Sequence, residues 1–221
     1  MRRLVRRLVG LAIILSSMNH VNAADLQILT DTSWRAIGPL GNQEGIPIND
    51  VGSSWEIPHQ GWNTDLNFDD SDNAGWKNAI SYPYGPCTPP ENTIWVDGTN
   101  GTDGSTPAYF RKKFFLDGIA TSATLNLWVD DDAQAYINGT LVIDDQDNTA
   151  YDNPRQIDVT SSLIAGENLI AIKAQDSFGI YEGLCVDLQV HSVPEPSTVT
   201  MLVIGVFGLL AYAWRRQKWQ A

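Results

Sequence analysis

The 221-residue chain carries 14 Lys and Arg against 26 Asp and Glu, with two cysteines and three histidines. Setting both ends aside leaves about 170 residues with 7 basic and 25 acidic side chains, so the net charge there is 7 − 25 = −18. That charge excludes nucleic acid as a partner, because its phosphates would be repelled. The length suits one domain, which at this size buries close to 70% of its unfolded surface.

Residues 1–23 open with Arg2, Arg3, Arg6 and Arg7, continue with a short apolar stretch from Leu8 to Leu15, and close on Val21-Asn22-Ala23. A basic start, a short apolar middle and small residues at a cut site make a secretory signal peptide, cleaved after Ala23. The exported context favours a bridge between Cys87 and Cys185, with two free thiols as the alternative.

Residues 25–106 are irregular. Trp34 to Ile37 is predicted as an early strand, and the stretch from Trp55 to Trp76 is rich in Asn, Asp, Gly and Trp. Trp62 lies in His59-Gln60-Gly61-Trp62-Asn63-Thr64-Asp65, a polar, glycine-containing stretch expected to be an exposed loop. There a flat ring beside Asn and Asp suits a sugar's apolar face and hydroxyls, although tryptophan in a small sandwich more often packs in the core. Asp97, Asn100 and Asp103 bring oxygen ligands and flexible glycines into the 97–104 stretch, a candidate loop for a structural calcium ion. The alternative is a solvated turn held by Asx hydrogen bonds.

From Tyr109 onward the chain alternates. Leu125, Leu127 and Val129 take one face of a predicted strand, and Asn126, Trp128 and Asp130 the other. This patterning makes Trp128, with Asn126, a second candidate ligand platform. Asp130, Asp131 and Asp132 end that strand as a second calcium candidate, since adjacent like charges are costly without a cation. Asp69 to Asn73 and Asp144 to Asn148 are expected to be solvated loops. Ala133 to Ile137, the turn Asn138-Gly139, and Leu141 to Ile143 form a predicted hairpin. Asn168 to Gln175 and Leu184 to Val190 add two strands. Period-two patterning with turns between strands predicts an all-β, antiparallel sandwich over residues 24–192.

Tyr136-Ile137-Asn138-Gly139, then Asp158-Val159-Thr160, Leu163, Gly166 and Asn168-Leu169-Ile170-Ala171, resembles the galactose-binding-like jelly roll over roughly residues 107–190. The resemblance implies a fold that serves many β-glycosidases as a non-catalytic sugar-binding accessory.

Residues 193–221 come last. Val193-Pro194-Glu195-Pro196 precedes an apolar run at 199–214 and a basic tail at 215–221. About 16 apolar residues reach about 24 Å as a helix, short for a hydrocarbon core of about 30 Å but adequate as a transmembrane helix with snorkelling flanks. The tail resembles the PEP-CTERM sorting signal. The resemblance implies an exosortase as processing partner, passage through the inner membrane, and release to the cell surface or beyond. A plain C-terminal anchor is the alternative.

No Gly-x-Ser-x-Gly elbow, zinc spacing or phosphate loop is present, and no enzyme activity is expected. The expected function is a secreted, non-catalytic module associated with extracellular polysaccharide or matrix. Its alternatives are a structural surface protein stiffened by calcium and the disulfide, and a glycoside hydrolase using paired carboxylates.

Overall fold

The computed structural model describes residues 24–38, 61–82, 92–96, 107–146, 150–177, 182–193 and 198–217, with side chains in the last segment described for 205–216. Residues 23–193 form one compact unit.

Among the described residues this unit is a sandwich of two six-stranded sheets. One sheet runs β10 (Arg155–Asp158), β7 (Ile119–Asp130), β12 (Gly183–Val193), β5 (Ile94–Trp95) and β4 (Ile80–Ser81), with β1 (Ala24–Leu29) also on β12. The other runs β3 (Lys77–Asn78), β2 (Arg35–Ile37), β6 (Ala108–Leu116), β11 (Gly166–Gln175), β8 (Asp132–Ile137) and β9 (Thr140–Asp145). All pairs are antiparallel. The arrangement is consistent with a jelly roll.

Strand β7 shows how the sequence builds the core. Ala123, Leu125, Leu127 and Val129 are buried between the sheets, while Thr124, Asn126, Trp128 and Asp130 are half-buried on the outer face. Ala133, Ala135 and Ile137 do the same on β8. The β8–β9 hairpin turns at Asn138 and Gly139 with φ of 50° and 83°. Both positive values suit a tight primed turn, which Asn-Gly adopts most readily. A Cβ on Gly139 would also lie 2.4 Å from the Thr64 side chain, so glycine is required there twice over.

The residues that carry the jelly-roll resemblance meet in one polar knot. The Asn138 amide donates to Ser162 O at 2.9 Å and to Asn168 Oδ1 at 2.8 Å, and its own oxygen accepts Leu169 N at 2.9 Å. Asn168 donates to Ile164 O at 2.7 Å and Gly166 O at 3.1 Å. Thr160 Oγ1 accepts Ala123 N at 2.7 Å and donates to Asp158 Oδ1 at 2.6 Å. These groups tie turn, loop and strand together, and their work is to hold the fold.

Strand β11 is buried on both faces. Ile170, Ile172 and Ala174 point into the sandwich core, while Leu169 and Ala171 belong to a second apolar cluster outside it. That cluster exists because residues 61–76 lie over the outer face of this sheet.

The C-terminal segment forms a helix, α1 (Thr198–Gln217). The expected transmembrane helix at 199–214 is thus helical. Yet among the described residues no helix is long and apolar enough to cross a membrane. The expected signal helix at 1–23 lies outside the described residues.

Candidate functional site

The two tryptophans singled out in the sequence have opposite fates. Trp62 is 1% exposed, so the expected exposed loop is corrected. Its ring meets Tyr109 edge-on at 5.0 Å and Tyr136 at 5.8 Å. Phe68 packs edge-on against Trp76 in the same cluster. The device that holds this layer down is Arg111 on β6, a residue 1% exposed. Its guanidinium donates to Trp62 O, to Asp65 O at 3.0 Å and to Asp70 Oδ2 at 3.1 Å, and lies 4.7 Å over the Phe68 ring. Arg35 adds bonds to Asp70 O at 2.8 Å, Trp76 O at 2.9 Å and Asp72 Oδ1 at 2.6 Å. The acidic run at 69–73 therefore supplies partners for two arginines, where the sequence suggested solvated loop. Burial pushes the Tyr109 phenol up to about 12.

Asp145 corrects the other acidic run. It is 1% exposed and faces the core from β9, bridged to Arg155 of β10 at 2.5 Å. The pair joins the two sheets, and residues 147–149 lie outside the described residues.

The second candidate calcium set sits where β7 gives way to β8. Asp131 Oδ2 accepts Ser177 N at 2.7 Å, and Asp132 Oδ2 accepts Ser177 Oγ at 2.6 Å. Among the described residues no three acidic, histidine or cysteine side chains are placed to hold a metal ion. Asp130 is half-buried beside these groups. Burial, then a hydrogen bond and charge from Asp131, then the charge of Asp176, push its carboxyl up to about 7. The other calcium candidates, Asp97, Asn100 and Asp103, lie outside the described residues.

Lys173, on the outer face of β11 opposite Tyr109 and Gln134, is pushed down to about 7 by burial. The two shifts give stability a defined pH course. An aspartate titrates near 4 when unfolded, so between about pH 4 and 7 the native state binds more protons at Asp130, and stability falls as pH rises. A lysine titrates near 10.4 when unfolded, so between about pH 7 and 10 the unfolded state binds more protons at Lys173, and stability rises. Urea midpoints across pH are expected to show both slopes. Asp130→Asn should flatten the acid limb and Lys173→Met the alkaline one, and a slope that survives its substitution would contradict the assignment.

Trp128 and Asn126 sit together, as their alternation predicted, on the outer face of the sheet that holds β1, β7, β10 and β12. Asn126 Oδ1 accepts the Gln156 amide at 2.8 Å. Across β12, Asp187 accepts Gln27 at 2.9 Å and Gln189 at 2.7 Å. His191 Nδ1 lies 2.5 Å from Asp25 Oδ1 at the far end of the face. Trp128 stands opposite Cys185 in register, at the other end of the row. Among the described residues this face thus carries amides and carboxylates, with the Trp128 indole and the exposed Leu29 beside them. His59, the other histidine of the expected mature domain, and Cys87 lie outside the described residues.

A family model for the PEP-CTERM protein-sorting motif matches residues 192–217. The chain therefore carries the signal of an exported, surface-sorted protein, the kind of signal read by exosortases. No curated protein matches the chain. Among solved structures, a β-glycosidase from Bacteroides vulgatus is 18% identical with a TM-score of 0.43, covering 76% of this chain and 20% of its own. An FMN-binding β-glucuronidase from Facaelibacterium prausnitzii L2-6 is 17% identical with a TM-score of 0.41, covering 78% of this chain and 23% of its own. An α-L-rhamnosidase from Streptomyces avermitilis, complexed with L-rhamnose, is 20% identical with a TM-score of 0.41, covering 48% of this chain and 12% of its own. The chain thus spans less than a quarter of the length of each of these proteins.

Proposed function

We propose that the mature domain is a non-catalytic module of the galactose-binding-like type, exported and sorted to the surface, where it binds neutral extracellular polysaccharide on the outer face around Trp128 and Asn126. One observation carries the reading: a half-buried indole beside Asn126 on a sheet face whose described residues are mostly polar, with Leu29 exposed among them. Stacking satisfies a sugar's apolar face, and the amides of Asn126 and Gln156 suit its hydroxyls. The domain's strong negative charge disfavours anionic polymers and selects neutral ones. An open face covers little of its ligand, so affinity is modest and depends on few contacts.

A glycan array followed by calorimetry tests this. Trp128→Ala is expected to weaken binding by about 1–3 kcal/mol, the range seen when an aromatic stacking platform is truncated elsewhere, and Asn126→Ala by about 1 kcal/mol. Binding that is indifferent to both substitutions, or no glycan binding at all, would favour the structural surface protein instead. The burial of Trp62 and Trp76 in a second apolar layer is the observation on that side.

A further inference from the structure

Both ends of the mature domain meet in one ladder. Strand β1 begins at Ala24, the residue after the expected signal-peptide cut, and there Ala24 pairs with Ser192 and Asp25 with His191. On the other side of β12, Ser192 pairs with Ala120 and Val193 with Ile119, past a register shift between His191 and Ser192. Ser192 is 1% exposed and donates its hydroxyl to Ala24 O at 3.4 Å. Thr121 Oγ1 donates to His191 O at 3.1 Å, and His191 contacts Asp25. The sorting-motif match begins at Ser192, inside this strand. Pro194 then follows Val193 with no spacer.

This placement creates a conflict. An enzyme that binds a peptide as an added extended strand does so through main-chain hydrogen bonds and through grips on alternate side chains. Ser192 is already paired with both β1 and β7, and Val193 with β7. They cannot serve both partners at once.

We propose that the paired end of β12 is an autoinhibitory contact for processing of the sorting tail: cleavage at the Pro-Glu-Pro box requires Ser192 and Val193 to leave β1 and β7. The inference rests on the reading that the tail is cut at that box. Strand ends open locally at low cost, well below global unfolding. Where opening and closing outpace cleavage, the rate of tail loss follows the population of the opened end. Strand β1 is the clamp, paired over Ala24–Leu29. It reaches β12 only when the first and last strands of the domain have come together. Processing is thereby tied to the state of the folded domain rather than to the tail alone.

The test follows tail loss by intact mass in the full chain, expressed in cells that hold its exosortase. One variant inserts Gly-Ser-Gly-Ser between Val193 and Pro194, outside the fold. A second, Ala24→Cys with Ser192→Cys, cross-links the paired positions, with the link verified by non-reducing peptide mapping. The spacer is expected to speed tail loss about tenfold by freeing the box from the paired strand, and the cross-link to slow it about tenfold by lowering the opened population. With the spacer present, the cross-link should have no effect. Equal rates with and without the spacer, or slower loss with it, would overturn the contact while leaving processing intact. Retention of the tail by both the parent and the spacer variant would overturn the processing reading, and the inference with it.

Discussion

Trp62→Ala is expected to destabilise the domain by about 3–5 kcal/mol, the range for removing a fully buried large aromatic side chain. Trp62 is 1% exposed and contacts Tyr109 and Tyr136 edge-on. Truncation removes those contacts and leaves a cavity between residues 61–76 and the sheet beneath. The layer also depends on Arg111, whose guanidinium is anchored to Trp62 O and Asp65 O. A shifted backbone at residue 62 would loosen that buried charge as well. In a domain of this size each kcal/mol moves Tm by about 2–4 °C, so a fall on the order of 10 °C is expected. Thermal melts and urea titrations measure it. Trp128→Ala, on the half-buried outer face, should cost far less. A loss below about 1 kcal/mol for Trp62→Ala would contradict the second apolar layer. Below its melting range the variant should bind glycan as the parent does, because Trp62 lies on the other sheet from Trp128.

The contrast between these two tryptophans marks how far the sequence was legible. Trp128 lies in a regular strand, where period-two alternation gives its face directly. The same rule gave the β8–β9 hairpin, with Asn138-Gly139 naming its own turn. Trp62 lies in an irregular stretch whose burial comes from long-range partners. Its local surroundings are Gly, Asn, Thr and Asp, and they read as solvent-exposed. What buries it is Arg111, 49 residues away, reaching back to its carbonyl. No local pattern encodes that reach. Asp145 is an intermediate case. It shares the inward parity of Ile143 on β9, so alternation alone placed it toward the core. The acidic run around it suggested solvent, and the missing element was its partner, Arg155. Strand β11 hid its two-sided burial for a related reason. Its near-continuous apolar run is the mark of a strand covered on both faces, but the covering segment was read as loop.

Removing a Cys87–Cys185 bridge is expected to have an effect as large as Trp62→Ala, by a different mechanism. Among the described residues no cysteine is a free thiol. Cys185 is 6% exposed on β12, in register with Trp128. A bridge to Cys87 would close a loop of nearly 100 residues. Chain-entropy arguments give about 4–5 kcal/mol for that closure, an upper value where the unfolded chain keeps residual structure. Cys87→Ser with Cys185→Ser avoids leaving a lone thiol and is expected to lower the urea midpoint accordingly. The same variant reports on the proposed binding face. The bridge would hold the proline-rich stretch around Cys87 against β12 beside the Trp128 indole. Losing it should shift tryptophan fluorescence and weaken glycan binding beyond what stability alone accounts for. Two thiols that alkylate readily in folded, oxidised protein would refute the bridge. An intact bridge whose loss leaves binding unchanged would separate the disulfide from the glycan face and confine its role to stability.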